Sequence, residues 1–111
     1  MRLKIGDVHW KIRLLSPEKF CKIHDDNNEA VTDPNIKTMD FRTDCINITN
    51  VRHELFHAYF TLTLTGDTNM DKDNVEEVSA ALIGKYGQDL INNSVKILTW
   101  LEKQLEKRVK K

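Results

Sequence analysis

Val51-Arg52-His53-Glu54-Leu55-Phe56-His57 is the stretch on which the reading of the chain turns. Two histidines four apart, with a glutamate directly after the first, form the pattern H-E-x-x-H. On a helix, residues four apart lie one turn apart on one face, about 6 Å along the axis. Both imidazoles can then reach one zinc ion, at about 2 Å each. Glu54 is turned roughly 100° from His53. It is free to hold a water beside the metal and to act as the general base that takes its proton. Two histidines on an ordinary helix would give the same letters, so the surrounding sequence has to decide.

From Val51 to Leu64 there is no Gly or Pro. Val51, Leu55, Ala58 and Leu62 form one apolar stripe, while Phe56, Phe60 and Leu64 fall on the side of His53 and His57. A helix apolar nearly all round is expected to be buried and central. Histidines in such a place need partners, because unpaired buried polar groups are costly, and a metal is one way to satisfy them. The expected helix runs from Ile46 to Thr65, capped by Asn47 or Thr49.

Catalytic zinc usually has three protein ligands and a water. The best source of a third is Asp73-Asn74-Val75-Glu76-Glu77-Val78-Ser79-Ala80-Ala81-Leu82-Ile83-Gly84, which reads as a second helix capped by Asp73 or Asn74. On a helical wheel Val75, Leu82, Ile83, Tyr86 and Leu90 define the apolar arc, and Glu76 falls just inside it. Glu77 falls outside, next to Lys85 and Gln88. Glu76 is therefore the expected ligand and Glu77 the second choice. The alternative is that both are first-turn acids favoured by the helix dipole.

His53, Glu54 and His57, followed by a helix that offers Glu76, resemble the gluzincin group of zinc metallopeptidases. The step from Glu76 to Ser79 resembles the E-x-x-S of the thermolysin group, although that group's following acid is Ala80 here. The small size, and Val51-Arg52 leading straight into the motif, look more like the ImmA/IrrE-like peptidases of phages and mobile elements. The resemblance covers roughly residues 36 to 91. It implies a minimal zincin-like domain, one zinc per chain held by His53, His57 and Glu76, Glu54 as catalytic base, and a protein or peptide substrate such as a repressor or host protein. It also implies that the strand before the active helix borders the cleft, where an edge strand can pair with an extended peptide.

The chain has 111 residues, so a single domain over 1–111 is expected, with a small but real core. Apolar residues make up 40% and charged residues 31%, which suits a globular protein. The formal net charge is zero and the basic tail Lys103, Lys107, Arg108, Lys110 and Lys111 reads as a solvated helix end, so nucleic acid is not the expected partner. No stretch approaches a membrane span and no signal peptide is legible, so Cys21 and Cys45 read as reduced thiols in a cytoplasm.

The fold class expected is α/β in the α+β sense. A small N-terminal sheet precedes two metal-binding helices and a C-terminal packing helix. Leu3 and Ile5 lead through Gly6-Asp7 into Val8, Trp10, Ile12 and Leu14, which alternate with polar residues as in a half-buried strand. Ser16-Pro17-Glu18 reads as the N-cap and first turn of a short helix through about Ile23. Asp33-Pro34-Asn35 reads as the turn of a hairpin whose second strand is Ile36 to Thr43. Gly66 to Asn74 is acidic but lacks the order of a calcium loop. The second helix is expected to end near Gly87 or run on to Ile91, with Tyr86 either in the core or an oxyanion partner. Asn92-Asn93-Ser94 is expected to recap a last helix, with Val95, Leu98, Leu101, Leu105 and Val109 on its apolar side. His9 and His24 have no ligand spacing.

The chemistry expected is zinc-dependent hydrolysis of a peptide bond in a cytoplasmic protein. The alternatives are a phage or mobile-element protein of this fold that binds a host or repressor protein without cutting it, and a structural zinc domain with a closed site.

Overall fold

The computed structural model describes residues 1–25, 27–62 and 72–109, and everything below concerns those. Four strands and three helices follow one another as β1 (Arg2–Ile5), β2 (Val8–Leu15), α1 (Pro17–Ile23), β3 (Ala30–Asp33), β4 (Thr38–Arg42), α2 (Ile48–Phe60) and α3 (Lys72–Val109). Alternation in β1 and β2 sends Leu3, Ile5, Trp10, Ile12 and Leu14 inward. The two strands pair antiparallel, with Ile5 opposite Val8, through the two-residue turn Gly6-Asp7. Gly6 has φ 62°, the glycine-first geometry of a type II′ turn. A side chain there would also press on Leu62, whose Cδ2 lies 3.0 Å from where a Cβ would sit.

The sheet order is β1-β2-β4-β3. β4 pairs parallel with β2 and antiparallel with β3, which makes it an interior strand. Met39 and Phe41 of β4 are fully buried, and so is Asp40 at 1% exposure. Arg13 meets the Asp40 carboxylate with two bonds of 2.6 Å, and His24 adds a third of 2.7 Å. A buried carboxylate without such partners would be strongly destabilising. His24 is the C-cap of α1, so this cluster ties α1 to the outer face of the sheet. α1 starts as the sequence suggests: Ser16 accepts from the Lys19 backbone N–H at 3.3 Å, and Pro17 is the first helical residue.

α2 and α3 cover the inner face. One core joins Ile5, Trp10, Ile12, Met39 and Phe41 of the sheet to Val51, Leu55, Ala58 and Tyr59 of α2 and to Leu82, Ile97 and Leu101 of α3. The Asn47 side chain caps α2 by accepting from the Asn50 N–H at 2.8 Å. α2 ends at Phe60 with Thr61 as its C-cap, short of the expected end at Thr65, and the acidic stretch 66–71 lies outside the described residues.

Two expectations are corrected. The second helix and the C-terminal helix are one continuous element of 38 residues. The polar run at its centre is satisfied without a break. Asn93 is buried and donates to the Tyr59 hydroxyl at 2.7 Å, and Ser94 bonds back to the Ile91 carbonyl at 2.6 Å. Gly84 and Gly87 each weaken a helix by about 1 kcal/mol, which packing against α2 overrides. The C-terminal apolar face is as expected at Leu98, Leu101 and Leu105, which pack on the core, but not at its ends: Val95 and Val109 are 54% and 76% exposed, and Asn93, Ser94 and Ile97 are buried instead. Among the described residues, no helix is long and apolar enough to cross a membrane. Cys21 and Cys45 are half-buried and are not joined by a disulfide.

Candidate metal centre and its clefts

His53 and His57 stand one turn apart on α2, and their Nε2 atoms approach to 3.1 Å. The rings meet edge to face, with centroids 4.7 Å apart. Two nitrogens bound to one tetrahedral zinc at about 2.05 Å would be about 3.3 Å apart, so this spacing suits a shared metal. Neither histidine is buried, contrary to the expectation of a helix covered all round. The His53 side chain is 65% exposed. α2 packs one face only, through Val51, Leu55, Ala58 and Tyr59, and Phe56 and Phe60 are half-buried beside the open histidines.

Glu54 differs from its neighbours. It is 6% exposed, and its Oε1 accepts from the Thr32 hydroxyl at 2.7 Å. Thr32 sits on β3 and also lies 3.1 Å from the Glu54 carbonyl oxygen, so its one proton is shared between two acceptors. The second carboxylate oxygen lies 4.0 Å from His53 Nε2. Glu54 is therefore held from behind, with one oxygen left facing the histidines.

The histidines separate two clefts. One, of about 410 Å³, runs along β3 and is lined by Val31, Thr32, Pro34, Glu54 and both histidines. The other, of about 600 Å³, lies between α2 and α3 and is walled by Phe56, Leu82, Ile83, Leu90 and Ile91. The strand that borders the polar cleft is β3. It is an edge of the sheet, whereas the strand expected there, within Ile36 to Thr43, is interior.

Glu76 is not brought to this place. Glu76 and Glu77 are both exposed. α2 and α3 run antiparallel, with Tyr59 donating to Asp89 and Arg52 reaching Ser94 at 3.4 Å. Glu76 precedes Asp89 by thirteen residues of continuous helix, about 20 Å along the axis. Among the described residues, no group of three or more His, Cys, Asp or Glu side chains is set to hold a metal. Glu76 does share a helix face with Ile83 and Gly87, which line the apolar cleft, while Glu77 shares one with the exposed Ala81, Gly84 and Gln88. Tyr86 packs on Tyr59, with ring centroids 5.6 Å apart, and lines neither cleft.

Thr32 was not legible as a site residue. Thr32 acts across 22 residues of sequence, and no local pattern carries that contact. No family model, curated protein or solved structure matches the chain.

Proposed function

We propose that the chain is a zinc-dependent peptidase that hydrolyses a peptide bond in a cytoplasmic protein such as a repressor or host factor. The observation that carries this reading is the 3.1 Å approach of the His53 and His57 nitrogens beside the half-tethered Glu54 carboxylate, at the mouth of an edge-strand cleft. Zinc, when held by the two histidines, would acidify a water and polarise the scissile carbonyl. An extended peptide can add to β3 through backbone hydrogen bonds, which sets its carbonyl over the histidines. Glu54 takes a proton from the attacking water as the water oxygen adds to the carbonyl carbon. That proton passes to the amine nitrogen as the C–N bond breaks, leaving a carboxylic acid and an amine. Thr32 keeps the carboxylate aimed during both transfers.

Glu76 is our candidate for the third ligand. It reaches the histidines only if the first turns of α3 leave the line of the helix. Gly84 and Gly87 are where the backbone gives way most easily, and the apolar cleft is the space into which that arm would close.

The distance of Glu76 favours a second reading: a protein of this fold that binds its target without cutting it. Metal analysis of protein purified without added metal tests the first. The expected result is close to one zinc per chain, lost in His53→Ala and in His57→Ala. Wild-type protein that takes up no zinc on titration would sink it.

A further inference from the structure

The zero net charge of the chain conceals a segregated surface. Basic residues fill most of the outward row of the β1–β2 hairpin: Arg2 and Lys4 on β1, and His9, Lys11 and Arg13 on β2, with the half-buried Leu15 ending the row. Register sets Arg2 directly opposite Lys11 and Lys4 opposite His9. Like charges facing each other across a strand pair are destabilising, so packing gives no reason for this arrangement. Arg13 is committed to Asp40. Among the described residues, Arg2, Lys4 and Lys11 have no ion pair within 4.0 Å. By register the nearest acids are Asp40, already bonded to Arg13 and His24, Asp7 in the turn, and Asp33, which stands beyond Thr38 in the row of Lys11. α1 closes the other end of this face, where Asp40 and Phe20 are buried, and leaves the four residues Arg2, Lys4, His9 and Lys11 exposed.

The patch is shaped as well as charged. A shallow hollow of about 160 Å³ is lined by Arg2, His9, Lys11, Ile36 and Lys37. The Lys37 ammonium lies 5.4 Å above the Trp10 ring and marks the rim. The positive field is felt nearby: the Met1 amino group is pushed below its ordinary pKa first by burial, then by Lys11 and Arg2.

We infer that this hairpin face is a docking surface for the phosphodiester backbone of nucleic acid. Successive outward side chains on a strand are about 7 Å apart and facing ones about 5 Å apart, which gives a flat grid of separate cations. Such a grid suits a repeating line of single phosphates better than one buried anion. Phosphate contacts carry no sequence information, so binding through this grid is expected to be indifferent to sequence. The surface is remote from His53, Glu54 and His57, and the inference does not depend on the peptidase reading.

The test is fluorescence anisotropy with labelled single-stranded and duplex oligonucleotides at 50 mM salt, on the wild-type chain. Binding is expected in the range of roughly 10 to 100 μM, with affinity falling against salt at a logarithmic slope of about −2 to −3 on single strands and about −3 to −4 on duplex, for three to four neutralised phosphates. The triple variant Arg2→Gln/Lys4→Gln/Lys11→Gln changes only exposed side chains. It should keep its circular dichroism spectrum and lose at least about tenfold in affinity, with a flatter slope. Lys103→Gln/Lys107→Gln, on the basic end of α3, should bind as the wild type does. The inference is overturned by no binding at 50 mM salt, by undiminished binding of the folded triple variant, or by stronger binding to phosphatidylserine vesicles than to oligonucleotides.

Discussion

At the scale of single residues, the decisive contrast is between His53 and Glu54. They are adjacent in sequence, yet one side chain is 65% exposed and the other 8%. Helical geometry alone produced the approach of His53 to His57, which is why three letters at fixed spacing made it legible. What the letters could not carry is the tether. Thr32 anchors Glu54 from a strand 22 residues away, and nothing local in either segment announces the other. The tether predicts how a conservative change behaves. Glu54→Gln keeps the length of the side chain and can still hydrogen-bond to Thr32 and to a water, but it cannot accept the proton. Fold and zinc content should survive, and cleavage of the physiological target should fall by a factor on the order of 10² to 10⁴. A Glu54→Gln protein that folds, holds zinc and retains its full cellular effect would end the peptidase reading and leave the binding reading standing.

At the scale of elements, α3 departs most from what its sequence suggests. Gly87 and Asn92-Asn93-Ser94 look like punctuation, but Asn93 and Ser94 are used for tertiary bonds to α2. Tyr59 donates to Asp89, and Asn93 donates to Tyr59 at 2.7 Å, which fastens α2 to the middle of α3. Removing the hydroxyl in Tyr59→Phe leaves two polar groups short of a partner, and should lower stability by about 1 to 3 kcal/mol near neutral pH. Burial, and then the bond to Asp89, raise the Tyr59 phenol above its ordinary value of 10.0. The folded state therefore holds this proton more tightly than the unfolded chain does. The associated stability is fully present below about pH 10 and is lost as pH rises from there towards the raised value. Urea denaturation between pH 8 and 11 should show a steeper alkaline decline for the wild type than for Tyr59→Phe. Parallel curves would mean that the network does not titrate. The same helix carries the question of Glu76. If its first turns swing at Gly84 or Gly87, Glu76→Gln should weaken zinc binding at least about tenfold and Glu77→Gln should not. Equal affinities, measured by competition with a chromogenic chelator, would mean that α3 stays straight and Glu76 stays away.

At the scale of the whole molecule, alternation and capping made β2, α1, the β3–β4 hairpin and α2 legible. The sheet order was not, because it rests on a parallel pairing of β2 with β4 across an intervening helix and strand. That order bears on the proposed function, since it makes β3 rather than β4 the edge at the cleft. It also decides how local binding at the histidines reads out globally. α2 lies at the centre of the core, with Val51, Leu55, Ala58 and Tyr59 all fully buried. Unfolding this helix means unfolding the domain, so an ion bound only by the folded helix stabilises everything. At a free zinc concentration a hundred times the dissociation constant, the gain is about 2.7 kcal/mol. For a domain of this size that corresponds to a rise of about 10 °C in melting temperature. The measurement is differential scanning calorimetry of metal-free protein with and without zinc, alongside His53→Ala as control. A rise in the wild type that is absent from the variant assigns the effect to the H-E-x-x-H pair. An unchanged melting temperature under saturating zinc would mean that the exposed histidines hold no metal tighter in the folded chain than in the unfolded one.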